Sequence, residues 1–490
     1  MSRGRVLLLL FVAKSALVGL TLAVVGTPAI PLGLPGEWTW NRLRAGAGVD
    51  GPGLLLGLVA VLGYAAFAAA GIRAMRAGPS RGRTLAWLAA LGPAAVLVQV
   101  AALTAAPAGY GLAKWTTLGM PGASGYLDLA RDAVADRGAF WAAYPGWIAE
   151  QDALHVGTHP PGLILVADVV LSGFERRPEA ARALNARLPA GLDAAFRAIL
   201  GPRPHPERAA MVVLGLMTLL ASALAAWPVF AMARPGGDLG AAWAAATLWP
   251  LVPAAVLFQP TADTAYPLLA ALALALAMTP AAAGPIGRER LATAILAGAV
   301  LAVGMQFSLV FLAVGFVAFL VLVATPGRDR TRRLRAVLAT GAGFLAVSGL
   351  LWAVSGANPL PIWLANARNH HRFYAEFPRS YWGWVALNPI ETAVAIGLPV
   401  AALVGYAGAR RRLPAVAVAT LLTLALLTLT GRNLSEVARL WLPFFPALVV
   451  AAGRGLVAAG GGPKALAGTV LLLGIQTLGL QLLVQVVYPV

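Results

Sequence analysis

Runs of about 20 apolar residues recur along this chain, separated by short basic or polar intervals, and each is long enough to cross a bilayer as a helix. The pattern predicts about thirteen spans, near 6–26, 53–73, 84–106, 208–232, 239–258, 265–280, 289–305, 307–325, 335–354, 389–408, 413–430, 440–457 and 465–487. The run 289–325 is too long for one span, and Gly304, Met305 and Gln306 supply a turn inside it. Val6–Gly26 is longer than a signal-peptide core and lacks a clear cleavage site, so it is expected to remain as a membrane helix.

The interval 107–207 breaks the rhythm. Its apolar stretch 163–174 is too short to span, and Leu188–Gly201 carries Asp193 and Arg197, whose charges are costly in lipid. Leu192, Ala195, Phe196, Ile199 and Leu200 form a stripe at helical spacing, as in a helix lying in the membrane interface. The whole of 107–207 is therefore expected on one side, as a loop of interfacial helices.

Basic residues set the orientation. Arg3 and Arg5, Arg73 to Arg83, Arg328 to Arg335 and Arg410 to Arg412 fall on one side, which is then cytoplasmic. Nearly all carboxylates and all five histidines fall on the other. The expected fold is an all-α polytopic membrane protein. Residues 1–83 are two helices added ahead of a functional module, 84–354 is that module with its large outer loop 107–207, and 355–490 is a further outer loop followed by C-terminal helices.

Composition agrees. The chain of 490 residues is 59% hydrophobic and 11% charged, against about 25% charged in soluble domains, and its mean hydropathy is +0.78. A net charge of +18 would point to nucleic acid in a soluble protein, but no basic stripe interleaved with aromatics accompanies it. Arginine-rich cytoplasmic loops account for it instead. The absence of cysteine excludes disulfides, thiolate metal sites and cysteine nucleophiles.

Five polar constellations lie on the predicted outer side. Asp128, Arg131, Asp132 and Asp136 recur at helical spacing. They read either as a solvated helix face or as the source of a general base. Next comes Glu150-Gln-Asp-Ala-Leu-His155-Val-Gly-Thr-His159-Pro-Pro-Gly162. His155 and His159 have the spacing of a metal half-site, but the prolines and glycines argue against a regular helix. Structural or substrate-contacting histidines remain the other reading. Asp263 sits in a short turn between two spans, as a helix cap, a site residue or both. The predicted loop 355–388 holds Asn369, His370 and several aromatics, which suit belt anchors, sugar faces or a lipid headgroup. Arg432, Glu436 and Arg439 stand at a span end, as snorkelling pairs or as a phosphate clamp.

Asp128, followed by Thr158-His-Pro-Pro-Gly162, the acidic Asp263 and the Arg439-Leu-Trp-Leu-Pro443 segment, resembles the GT-C membrane glycosyltransferases. That group includes the protein O-mannosyltransferases and the lipid A aminoarabinose transferases, and the resemblance covers roughly 84–446. It departs from the family in lacking an Asp-Glu pair at Asp128 and in having three helices before the first outer loop. The resemblance implies transfer of a sugar from a polyprenyl-phosphate carrier to an extracytoplasmic acceptor, which is a lipid, glycan or protein. It implies Asp128 or Asp132 as the base, Asp263 orienting donor or acceptor, and Arg432 and Arg439 on the carrier phosphate. His155, His159, Asn369, His370 and Glu436 complete the expected substrate contacts. A divalent metal is left open. The implied location is a bacterial inner membrane, with the site facing outward. The alternatives are a transporter or flippase of a lipid-linked or anionic substrate, and a related membrane polymerase or ligase. A transporter predicts functional charges inside the spans and an internal repeat. Only Lys14 stands out as basic within a span, and no repeat is visible.

Overall fold

A backbone in lipid must satisfy its own N–H and C=O groups, so the apolar runs fold as helices. The structure is a computed structural model that describes residues 2–43, 48–107, 109–120, 122–132, 136–235, 238–281, 287–324 and 330–487. Seven helices are long and apolar enough to cross a membrane: Arg3–Gly26, Gly51–Arg76, Arg81–Thr104, His205–Ala233, Ala262–Pro280, Arg330–Ser355 and Pro463–Leu483. An eighth is the pair Tyr381–Ile396 and Leu398–Ala409, bent by 113° at Gly397, whose φ of +96° a residue with a Cβ rarely adopts. Leu239–Leu251, Val310–Val323, Ala415–Leu429 and Leu442–Ala458 are apolar but shorter. The chain is a multi-pass helical membrane protein, with seven or eight full-length spans among the described residues where the hydropathy pattern predicts about thirteen. The difference comes from helices that are too short and from segments that are broken. The expected span 239–258 is divided into Leu239–Leu248, Trp249–Leu251 and Pro253–Leu257, because Pro250 and Pro253 donate no backbone hydrogen bond. The turn expected at Gly304–Gln306 does separate Arg288–Gly304 from Val310–Val323.

The interval 107–207 forms short helices packed together, and among the described residues no helix of spanning length starts within it before His205. Leu192 and Phe196 of Ala190–Leu200 are buried with Trp115, Leu171 and Met211. Arg137 closes a two-pronged ion pair on Asp168 of the Gly162–Glu175 helix, at 2.8 and 2.7 Å. Lys114 acts as a strut. Its buried ammonium donates to Leu257 O at 3.1 Å and Gln481 Oε1 at 3.4 Å, tying this layer to two helix ends.

Two expectations are corrected. The acidic face over 128–136 does not exist as one helix: Tyr126–Asp132 ends, and Asp136 caps the next helix, Arg137–Trp147, by accepting from Ala139 N at 3.1 Å. A short side chain that competes for backbone donors favours a cap over a helix interior. Likewise 355–388 is not a loop. Asn358 accepts from Leu360 N at 3.0 Å and Pro359 opens the helix Pro359–Glu376. Its buried face is Ile362, Ala365, Asn366 and Asn369, and two polar members hid the helical period.

The histidine-proline corner is fixed from two directions. Asn366 Nδ2 donates to Gly157 O at 2.8 Å and His159 O at 3.0 Å, and Asn369 Nδ2 donates to Ile148 O and Gly157 O, both at 3.0 Å. Gly162 N donates to Gln306 O at 2.7 Å. A Cβ at Gly162 would run into that same carbonyl. Gly162→Ala must therefore push the corner off the 305–309 turn, at about 1–3 kcal/mol. The expected outcome is a lowered thermal unfolding midpoint in detergent, whereas Gly173→Ala, at an open position, leaves it in place.

The N-terminal part reaches across the molecule. Gly57 and Gly71 of Gly51–Arg76 let that helix press against Ala101, Leu478 and the Trp243 ring, the close packing that small residues permit between helices in lipid. Between the first two helices, Gly33–Leu34 pairs with Trp38–Thr39 as a hairpin, and Asn41–Arg42 pairs with Val484–Gln485 near the far end of the chain.

Candidate functional site

Several helix ends and turns enclose a cavity of about 990 Å³, at the upper end of small-molecule sites. One wall is polar. It is built from His155, Thr158 and His159 of the corner, Asp263 of the Ala262–Thr264 turn before the helix Tyr266–Ala281, His370 and Tyr374 of Pro359–Glu376, and Arg432, Glu436 and Arg439. The other wall is apolar: Leu309, Val310, Leu312, Ala313, Leu427, Leu440, Val486 and Val487. Leu312 is also 59% exposed, so this wall continues onto the open face of the Val310–Val323 helix.

Arg439 is the centre of charge. Its Nη2 donates to Glu436 Oε2 at 2.8 Å, and its Nε lies 3.8 Å from Asp263 Oδ2. Burial pulls the guanidinium pKa down, but Glu436 and Asp263 outweigh that and leave it above its ordinary value. One cation thus holds two carboxylates from distant parts of the chain. The Glu436–Arg439 pair is one of the two that helical spacing allows, the other being Glu436–Arg432, although Ser435 and Glu436 both have positive φ and the helix begins only at Val437. Arg432 lies before that kink, exposed, in a turn held by Tyr374, whose hydroxyl accepts from Leu434 N at 3.0 Å and donates to Arg432 O at 3.3 Å. Below Arg439, Glu391 accepts from Ala438 N at 3.2 Å and from Trp40 Nε1 at 3.3 Å, linking its short helix to the N-terminal segment.

The three expected catalytic carboxylates fare differently. Asp263 lines the cavity. Asp128 and Asp132 do not. Asp132 is 63% exposed and bonded to Arg131 at 2.6 Å, and that guanidinium holds its carboxyl below the usual range. Asp128 is engaged by Arg131 at 3.2 Å and by Arg203 at 3.3 Å, with Arg203 standing on the cavity wall. Arg203 also bonds Glu207 at 3.0 Å and Gly119 O at 3.3 Å. It therefore presents a positive side chain to the cavity and turns Asp128 into its partner. Asn369 is also corrected: it is buried beneath the corner and positions it, without lining the cavity.

The two corner histidines do not form the metal half-site that their spacing allows. His159 Nδ1 lies 2.8 Å from His155 O, which fixes that nitrogen as the donor, and its ring meets Tyr126 edge-on at 6.2 Å. No group of three His, Asp or Glu side chains converges to hold an ion among the described residues. Tyr126, which donates to His155 O at 3.2 Å, is raised by burial and by Asp263, and stays a neutral phenol.

Burial also governs the histidines. It pushes His155 down to about 3, with Arg439 and His159 adding repulsion, and it lowers His159 and His370 as well. All three are neutral at pH 7, when their nitrogens can accept as well as donate. The unfolded chain binds protons at its histidines below about pH 6.5 while the folded chain does not, so stability is full above that value and falls with acidity. The unfolding midpoint should drop between pH 7 and pH 5. His155→Asn should flatten that slope, as read by thermal denaturation across pH, and an unchanged slope overturns the assignment.

Some lining residues escaped sequence reading. Trp38, Thr261 and Arg203 carry no motif; only their distance from the apolar runs marked them, and many loop residues share that. Comparisons with protein-family models, curated proteins and solved structures find no match to this chain.

Proposed function

We propose that the protein is a membrane glycosyltransferase that moves a sugar from a polyprenyl-phosphate carrier to an acceptor hydroxyl outside the cytoplasm, with Asp263 as the base. The observation that carries this reading is one cavity joining two carboxylates and three arginines to apolar lining residues that continue onto an exposed helix face. A lipid-linked phosphate needs those features together: an apolar groove for the chain, cations for the phosphate, and a carboxylate near the reacting carbon.

In this reading Asp263 takes the proton of the acceptor hydroxyl, whose oxygen attacks the anomeric carbon. The bond from that carbon to the phosphate oxygen breaks, and the electron pair leaves on polyprenyl phosphate. Arg439 and Arg432 offset the charge that develops there. Glu436 holds the Arg439 fork in place, and the neutral His155, His159 and His370 offer hydrogen bonds to sugar or phosphate. Lys14 and Glu391, two charged groups within spans, are each hydrogen-bonded to other helices and lie off the cavity wall. That supports an enzyme over a transporter that would carry charge along its spans. The test is release of labelled sugar from a panel of polyprenyl-phosphate sugars by the protein in proteoliposomes. Carrier-mediated flipping without cleavage of the sugar–phosphate bond favours the transporter instead.

A further inference from the structure

The hairpin between the first two helices supplies part of the cavity that the rest of the chain does not. Trp38 lies on its wall. Trp40, two residues on, packs edge-on against Phe258 at 6.5 Å, and Phe258 lines the same cavity together with Thr261. The hairpin is anchored at several points. Glu37 accepts from Ser380 N at 2.9 Å and Trp384 Nε1 at 2.7 Å, and also from the Ser380 hydroxyl. Trp40 donates to Glu391. The strand Asn41–Arg42 pairs with Val484–Gln485, just before Val486 and Val487 on the cavity wall. Trp38 is therefore held in place and is no loose interfacial anchor.

Two polar atoms on this wall stand out. The Trp38 indole Nε1 and the Thr261 hydroxyl are both buried, and neither has a hydrogen-bond partner among the described residues. Other indoles of this region, Trp40, Trp384 and Trp441, do have acceptors. A buried donor left unpaired costs about 1–3 kcal/mol, and such groups in a native protein call for an explanation. Both residues line one cavity, with the Trp38 ring on its wall and Thr261 two residues from Asp263. A ligand that offers oxygen atoms along a ring with an apolar face would satisfy all three features.

We propose that Trp38 and Thr261 form a glycosyl-binding subsite, in which a sugar ring lies against the indole and its hydroxyl oxygens pair with the two donors. This deepens the transferase reading and rests on it only for the identity of the cavity's substrate. It also gives the N-terminal helices a role: they carry the aromatic side of the sugar site.

The test separates sugar binding from transfer. Saturation-transfer NMR on the detergent-solubilised full chain is run with methyl α-mannoside and methyl β-glucoside as probes, and in parallel with undecaprenyl phosphate, which has no sugar. Wild type should saturate the ring protons of at least one glycoside. Trp38→Phe, which keeps a ring but removes the N–H, and Thr261→Val should each weaken that signal several-fold, and Trp38→Ala should abolish it. Elution profile and unfolding midpoint confirm that the Phe and Val variants are folded. Arg439→Gln should lose the undecaprenyl phosphate signal and keep the glycoside signal. Wild type that binds neither glycoside, or glycoside signals unchanged in both Trp38→Phe and Thr261→Val, overturns the subsite. Glycoside binding that depends on Trp38, in a protein that transfers no sugar, keeps the subsite and sinks the transferase reading.

Discussion

Arg439→Gln is expected to lower sugar transfer by about 10²–10³-fold, the loss typical of removing one donor aimed at developing charge. Two effects combine. The leaving phosphate loses its cation, and Asp263 and Glu436 are left facing the cavity with no charge between them. Arg439→Lys retains charge but not the fork that reaches both partners. It should restore only part of the rate. The measurement is the initial rate of transfer from a labelled polyprenyl-phosphate sugar. A rate within twofold of wild type for Arg439→Gln removes Arg439 from the chemistry.

Asp263→Asn is the second large effect. Loss of a positioned general base costs about 10²–10⁴-fold, and the amide keeps the size of the side chain. The loss should appear in kcat, with carrier binding retained, since the carrier phosphate sits on arginines. Asp132→Asn should leave the rate unchanged, because that carboxylate is exposed and paired at the surface. Asp128→Asn tests the competing assignment. Its expected effect is on stability and KM, through the Arg203 side chain that it no longer holds. A collapse of kcat in Asp128→Asn with normal kcat in Asp263→Asn would return the base to the first outer loop.

The contrast between Asp128 and Asp263 shows what can be read from a linear pattern. Both lie in polar intervals between apolar runs, and both are acidic. Helical spacing marked Asp128 because Arg131 and Asp132 flank it. It could not show that Arg203, some 75 residues on, would claim that carboxylate and take its place on the cavity wall. Nor could it show that Asp263 would meet Arg439. Asn369 was marked for its aromatic, histidine-rich surroundings, yet its carboxamide is spent on two backbone carbonyls under the corner.

By itself, the sequence determined the class of protein, the main helices, the lack of a spanning run in 107–207 and the turn at Gly304–Gln306. These follow from local quantities: the length of apolar runs, the cost of charge in lipid and the conformational limits of Gly and Pro. It also placed the histidine-proline corner, the acidic turn and the arginine segment among the candidate site regions. The tertiary structure alone decided which of their side chains share a cavity, which carboxylates are neutralised elsewhere, and that a hairpin near the N-terminus brings Trp38 beside them. Those outcomes depend on contacts between residues hundreds of positions apart, such as Glu37 with Trp384. Hydropathy carries no record of such contacts, because it fixes which segments enter the membrane and leaves open how their ends meet.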